Sequence, residues 1–534
     1  MNSESSGTEN NERSAAVAAL AQSYSQDYTP YFKEGPRIKV PHAVSTLASL
    51  YEKMRQAMEY NEPHLFRRAA AERMLSRRLR AESDSALVAQ GLVRELIRAR
   101  YLENDSYPEA IVGAIARILE KYRQILQARE ISPGRDDFSL VMRWASSEIE
   151  EFLAPPNRAD ALANLMLANL KRAVILNDPQ IDERHSAIQL QIAVYRNLLK
   201  LDRAMLDYNL FELFYPDWKT NGEAYIGQVA GNFPKIAAAL KRLSSYHLGG
   251  ALSALVRRYS SPFLLLRDAL EQAGTRVLQG EVALAQEISR AYARRIVRER
   301  ERLATTTTRA LIYIFFTKAV LSFAFELPAE SLIYGGLRFV PFVINFLFPP
   351  FLLFLLTLSL SPPGKENEER IIAAAKEAIF SPDGGGRGVF SEQNRVEVKK
   401  RSSGLALTLF LIYFLAFVLI FGAIAGALLR IGFTPLGVGL FLFYTSIVTY
   451  FGFRVRESSR DLVMTGGKET VPAVVFDFFA LPFLRAGSLI SAGFSRFNVF
   501  VLLVTLLVEA PFQTILEVLE EWISFAREKK EEVY

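Results

Sequence analysis

Leu405 to Leu429 reads LALTLFLIYFLAFVLIFGAIAGALL, 25 residues with no charge and no proline. As a helix this stretch is about 37 Å long, enough to cross a hydrocarbon core of about 30 Å with some tilt. A helix in a soluble core keeps a polar face somewhere, and this one has none. The stretch therefore predicts a transmembrane helix.

Working outward, three more apolar runs read as spans: residues 310–327, 332–360 and 436–453. The first carries Lys318 near its middle. The second holds Pro341 and the pair Pro349-Pro350, where kinks are expected. Between the second and third spans lies a polar loop, 361–404, with a short helix expected over Glu366 to Ile379 and a flexible break at Asp383 and the glycines after it. Residues 470–508 are ambiguous. VPAVVFDFFALPFL is interrupted by Asp477, and FNVFVLLVTLLV is only 12 residues long. Runs of about 10–14 apolar residues suit re-entrant or interfacial segments; two short tilted spans are the alternative. The membrane domain so defined covers 304–515. The tail, 514–534, has Ile515, Leu519 and Trp522 on one helical face and glutamates around the other, as an amphipathic surface helix would.

Before Arg309 the pattern changes. Residues 1–36 are rich in Ser, Asn, Glu and Gly and read as a disordered lead-in. The N-terminus lacks a basic start followed by an apolar core, so no signal peptide is expected. From 37 to 303 apolar residues recur at three- and four-residue spacing, as in Leu47, Leu50, Tyr51, Met54 and Met58. Asp84, Asp136, Asn157 and Asp182 read as helix starts, and Gly134, Pro155-Pro156, Pro179 and Pro216 as breaks. No alternating β-branched stretch appears. The expected fold class is all-α: a soluble N-terminal helical domain followed by a multipass α-helical membrane domain.

Basic residues crowd one side of the predicted spans. Arg290, Arg294, Arg298 and Arg302 recur every fourth residue before span one, so they line one helix side. Lys399, Lys400 and Arg401 precede span three, and Arg454, Arg456, Arg460 and Lys468 follow span four. The opposite connections hold Glu326, Glu330 and Arg430. The positive-inside rule then puts the helical domain, the 361–404 loop and the C-terminus in the cytoplasm. The setting expected is a bacterial cytoplasmic (inner) membrane. The arginine stripe is a candidate for anionic lipid headgroups, each basic residue being worth about 1 kcal/mol at such a surface. Its simpler reading is local pairing with nearby glutamates. A second cluster, Arg67, Arg68, Arg73, Arg77, Arg78 and Arg80, reads as a solvated face, because nothing aromatic interleaves to stack bases.

Few classes of chemistry fit the composition. There is no cysteine, which removes disulfides, thiolate metal sites and cysteine nucleophiles. A net charge of +6 over 534 residues does not suggest a nucleic-acid binder. The four histidines, His42, His64, His185 and His247, have no metal-ligand spacing. Thr465-Gly466-Gly467-Lys468 lacks the earlier glycine and the following Ser or Thr of a phosphate loop. No cofactor or catalytic motif is found, so an enzyme is not the expected reading.

Charges inside apolar runs remain. Each costs about 2.5–3.5 kcal/mol at the bilayer centre and usually faces a partner or water. Lys318 and Asp477 are the two candidates, expected to pair and pin the 470–484 segment to span one. The blander reading is a snorkelling lysine and an unrelated structural carboxylate. Gly422 and Gly426 form a GxxxG that predicts a close helix contact, within one chain or between copies.

Three stretches, YEKMRQAMEYNEPHLFRRAAAERML (51–75), INFLFPPFLLFLL (344–356) and the segment from Arg496 to Tyr534, resemble uncharacterised multipass membrane proteins of small-genome bacteria. The resemblance implies a bacterial membrane setting and carries no activity or site residues. The function expected is that of a membrane-anchored scaffold or envelope-associated interaction protein. Its partners would be the bilayer, anionic headgroups, and a protein or a second copy. The alternative is a transporter or channel using Lys318 and Asp477.

Overall fold

Helices dominate the computed structural model of the chain, which describes residues 2–25, 35–40, 63–336, 338–358, 364–380, 388–390, 393–397, 403–458, 462–464 and 471–496. In order they are α1 (Asn2–Ser25), α2 (Pro63–Ala81), α3 (Ser85–Arg98), α4 (Ala110–Ala128), α5 (Asp136–Leu153), α6 (Asn157–Ala173), β1 (Val174–Asn177), α7 (Glu183–Asn197), α8 (Arg203–Phe214), α9 (Trp218–Ser244) and α10 (Gly249–Ala273). Then come α11 (Glu281–Leu321), a π-helical turn (Ser322–Glu326), α12 (Leu327–Tyr334), α13 (Phe339–Leu358), α14 (Lys365–Phe380), β2 (Asn394–Glu397), α15 (Ser403–Arg430), α16 (Pro435–Ser458) and α17 (Val471–Arg496). The fold is all-α, with two four-residue strands that pair as one small sheet. The expected helices around Leu47–Met58 and the 514–534 tail lie outside the described residues.

The chain divides into two units. The first runs to Arg257 and takes in Phe390–Val396; the second covers Arg258–Val389 and continues from Glu397. The boundary thus falls inside α10, well before the expected 303. Residues 258–303 pack with the later helices because Asp268 of α10 holds Arg295 of α11 at 2.7 Å, and Ile288 and Ala291 are buried.

In the first unit Asp84 and Asp182, two of the four expected helix starts, are N-caps, whereas Asp136 and Asn157 are the first residues of α5 and α6 and make no capping bond. Asp84 accepts from Ala86 N at 2.8 Å, and Asp182 from His185 N at 2.7 Å. Each satisfies a donor the first turn cannot pair internally. The core is aromatic: Trp144 stacks on Phe211 at 4.6 Å, and both are fully buried.

Two expectations fail in this unit. Residues 2–25 are a helix, not a disordered lead-in. The run SAAVAAL is rich in the best helix former, and Arg13, Ala16 and Leu20 form a buried stripe at helical spacing. Arg13 donates to the side chain of Asn169 on α6, Lys171 meets Glu12 at 2.5 Å, and Arg158 lies over the Tyr24 ring. The arginines of α2 are likewise no solvated face. Arg67 grips Glu150 with two hydrogen bonds, and Arg77 and Arg78 share Glu95. Arg68 is buried between Glu72 and Asp202.

Among the described residues of the second unit three helices are long and apolar enough to cross a membrane: Phe339–Leu356, Phe410–Arg430 and Pro435–Arg454. Four spans were expected. The first, 310–327, is instead the end of α11, a helix of 41 residues that begins in charged sequence, followed by the π-helical turn and the start of α12. Arg309 and Lys318 keep its apolar part short of the other three. The second begins at Phe339, not 332, and passes through Pro349-Pro350 without interruption. The third and fourth appear as α15 and α16, within a few residues of their expected ends. Val471–Arg496 is one continuous helix through Asp477 and Pro482; 497–508, the second of the two short apolar runs, lie outside the described residues.

The polar connection 361–404 contains α14, close to the short helix expected. It packs on the charged half of α11, with Ser289 Oγ donating to Glu368 at 2.5 Å and Lys376 3.5 Å from Glu281. Ile371, Ala374, Ala375 and Ala378 form its buried side.

Candidate functional site

The most concentrated polar chemistry among apolar helices of the second unit surrounds Lys318. Its side chain is 1% exposed. The ammonium lies 3.0 Å from Glu326 Oε2 and 4.0 Å from the centre of the Tyr444 ring. Ser322 Oγ donates to the same carboxylate oxygen at 2.7 Å, and Asn345 Nδ2 of α13 donates to the other. Both oxygens of Glu326 are therefore engaged, and the ammonium has a carboxylate and an aromatic face as neighbours. A buried charge is tolerable only with such company.

The π turn explains how one short segment supplies three of these groups. On an ideal α-helix, positions eight residues apart are rotated by roughly 80°. The wider i→i+5 turn over Ser322–Glu326 spreads an extra residue around the axis, which brings 318, 322 and 326 towards one face. Glu326 had been assigned to a polar connection. Its helical register, which the sequence does not advertise, makes it the partner of Lys318.

The expected Lys318–Asp477 pair does not form. Asp477 Oδ1 lies 3.2 Å from Arg456 Nη1, and both side chains are partly exposed. Asp477 sits less than two turns into α17, within reach of the last turn of α16, whereas Lys318 satisfies its charge on its own hairpin.

A second polar contact lies one turn further on. Thr434 Oγ1 donates to Glu330 at 2.7 Å and accepts from Gly437 N at 3.0 Å, capping α16. Glu330 is buried, and the helix N-terminus favours its negative charge. Arg338 donates to the carbonyl of Gly432 at 2.7 Å. Along α16, Thr445, Ser446 and Thr449 are also buried, and among the described residues Asn345 Oδ1 and Thr445 Oγ1 have no hydrogen-bond partner.

The chain matches no protein-family model, no curated protein and no solved structure. Its chemistry has to be argued from its own residues.

The remaining expected sites are dispersed. Arg290, Arg294, Arg298 and Arg302 are all exposed on α11, as the spacing requires. Part of their charge is met by acids: Glu287 lies 2.6 Å from Arg290, Glu299 3.5 Å from Arg302, and Asp268 3.7 Å from Arg298. Among the described residues Gly422 and Gly426 mark no close contact within the chain. A Cβ at either would meet nothing within 4 Å, and both are exposed. The close contact is at Gly487 of α17, where a Cβ would collide with the Ser446 carbonyl and lie 2.6 Å from Tyr450 Cβ. Among the described residues no group of histidines and carboxylates is arranged to hold a metal.

The first unit holds a buried polar cluster that sequence reasoning missed. Glu148 accepts from Lys121 at 2.5 Å, from Tyr122 at 2.6 Å and from Trp218 Nε1 at 2.8 Å. Nearby, Glu151 accepts from Lys219 at 2.5 Å and from Asn209 at 3.0 Å. A cavity of about 620 Å³ is lined by Lys121, Glu148, Glu151, Asp160, Lys219 and Glu223, among others. Burial pushes the Glu151 carboxyl up to about 7, against the pull of Lys219. Burial likewise raises Asp160 to about 6. The partners lie on α4, α5, α8 and α9, too far apart in sequence for any spacing rule to join them.

Proposed function

We propose that this chain is a multipass protein of a bacterial inner membrane that holds its helical N-terminal unit at the cytoplasmic face as an anchored scaffold. The observation that carries the reading is α15. Only 6% of its 21-residue apolar window is buried by the protein. Phe410, Leu411, Ile412, Phe414, Leu415, Val418 and Leu419 are all exposed. An apolar surface of this extent and with no charge is stable in lipid and would aggregate in water.

Chain connectivity supports the sidedness. β2 follows α13 and precedes α15, yet it pairs with β1 of the helical unit. For β1 and β2 to share a side, two crossings have to lie between them, so on this reading the apolar end of α11 with the π turn, shorter than the three long apolar helices, crosses together with α13. The positive-inside count assigns the same side to both. The unit is therefore tied to the membrane helices at two places in the chain, at Arg257 and again through β2, which suits a displayed, oriented platform.

Single cysteines test this in a chain with no native thiol. In intact cells an impermeant maleimide should label Ser331→Cys and Ile431→Cys and leave Glu369→Cys unlabelled until the membrane is opened. The reverse pattern would overturn the orientation.

Transport is the second reading. It is favoured by the buried polar series Lys318, Glu326, Asn345 and Thr445, with two oxygens unsatisfied. Purified protein in liposomes carrying a pH dye should show no proton flux above empty vesicles under an applied potential. Flux abolished by Lys318→Met would replace the scaffold by a pathway.

A further inference from the structure

In the second unit α15, α16 and α17 enclose a groove of about 800 Å³ that includes Phe410, Tyr413, Tyr450, Arg454, Leu481 and Arg485. That volume is in the range of about 300–1,000 Å³ usual for small-molecule sites. Its composition divides by chemistry. Phe410 and Leu481 give exposed apolar wall, 61% and 44% exposed. Arg454 and Arg485 bring two positive charges, and both are exposed. No carboxylate among the described residues pairs with either arginine, and the Tyr413 and Tyr450 hydroxyls have no hydrogen-bond partner among them. Elsewhere in this chain arginines near carboxylates find them, as Arg456, two residues from Arg454, finds Asp477 on α17. Two unmatched guanidinium groups in one apolar groove call for an anion from outside the protein.

Depth identifies the anion. Arg454 lies four residues before the end of α16, about 6 Å along the axis, and Tyr413 ten residues into α15, about 15 Å. On the topology proposed above, those ends face the cytoplasm. Arg485 lies fourteen residues into α17, about 21 Å from its cytoplasmic end, so the groove runs from the phosphate level into the acyl chains, and Arg485 has to extend its guanidinium upward to join Arg454 on one phosphate. We propose that this groove is a binding site for one anionic phospholipid of the cytoplasmic leaflet, with Arg454 and Arg485 on its phosphate and Phe410 and Leu481 along its chains. The proposal rests on the membrane reading and adds a specific ligand to it. It is distinct from the arginine stripe of α11, none of whose residues lines this groove.

The test uses the full chain in neutral detergent. Native mass spectrometry with added phosphatidylglycerol should show one retained lipid, and thermal unfolding should shift upward with phosphatidylglycerol but not with phosphatidylcholine or inorganic phosphate. Arg454→Gln with Arg485→Gln should lose the retained lipid and weaken the thermal response at least tenfold in lipid concentration, while the same change at Arg294 and Arg298 leaves both. Leu481→Trp fills the groove without altering charge and should also lose the lipid. Arg454→Lys with Arg485→Lys should keep partial binding, which separates lost charge from lost fold. Equal retention by the glutamine variant and wild type, or an equal shift with phosphatidylcholine, would overturn the site. A protein that needs no detergent to stay monomeric would instead overturn the membrane reading beneath it.

Discussion

Lys318 and Glu326 are eight residues apart and meet at 3.0 Å because a π turn lies between them. The pair is intrahelical in origin but is completed by Asn345 and Tyr444 from two other helices. Breaking one half strands the other. Lys318→Met should cost about 3–5 kcal/mol, as for other buried pairs cut on one side. Lys318→Met with Glu326→Gln should recover part of that loss, because glutamine keeps the contacts to Ser322 and Asn345 without the charge. The double-mutant cycle is read by thermal unfolding in detergent, and strictly additive losses would mean that the pair does not couple.

Helix packing predicts a contrast between glycines. Gly487→Ala forces α16 and α17 apart at the Ser446 carbonyl and should destabilise by about 1–3 kcal/mol. Gly422→Ala and Gly426→Ala place a methyl in open space and should be neutral within about 0.5 kcal/mol. A loss at Gly422 as large as at Gly487 would reveal a contact with a second copy.

The buried carboxyls of the helical unit make its stability pH-dependent. Glu151 ionises at about 4.5 when unfolded and at about 7 when folded, and Asp160 at 3.8 and about 6. A raised folded value means that the neutral form is favoured in the fold. This contribution is complete below the unfolded values and is lost as pH rises through about 6 and 7. Glu151→Gln should therefore flatten the fall in denaturation midpoint between pH 4.5 and 7. The same slope in variant and wild type would place the titration elsewhere.

Helix α1 is part of the fold. Leu20 is fully buried, and Leu20→Ala should cost about 2–5 kcal/mol. Limited proteolysis should spare the segment 2–25 in the wild type and cleave it in the variant. Rapid cleavage in both would return it to the status of a free lead-in.

What could be read in advance depended on whether the deciding partner was near in sequence. Leu405–Leu429 and its neighbour α16 were legible because absence of charge over twenty residues is a local property. Asp84 and Asp182 were legible because caps act within three residues. The partners of Arg67 and Arg77 were not, since Glu150 and Glu95 lie on other helices. A charge at Lys318 reads from sequence as needing a partner, but no ideal helical period brings Glu326 to it, and Asp477, the expected one, meets Arg456. Residues 394–397, NRVE, have no strand signature at all; only β1 makes them one. The alanine run of α1 was outweighed by the Ser, Asn and Glu around it, which mark polarity but not disorder.

The pairing of β1 with β2 also sets an order of events during synthesis. More than two hundred residues separate the strands, and α13 must be made before β2 leaves the ribosome. Until then β1 is an open edge, with backbone donors and acceptors available to other chains. If the chain spans a membrane as proposed, a copy whose α11–α13 hairpin inserts the wrong way round, or not at all, would keep β2 away from β1. Its β1 edge stays open and accessible to proteases. On the proposed topology, four residues of sheet would close only on chains whose earlier helices are correctly threaded.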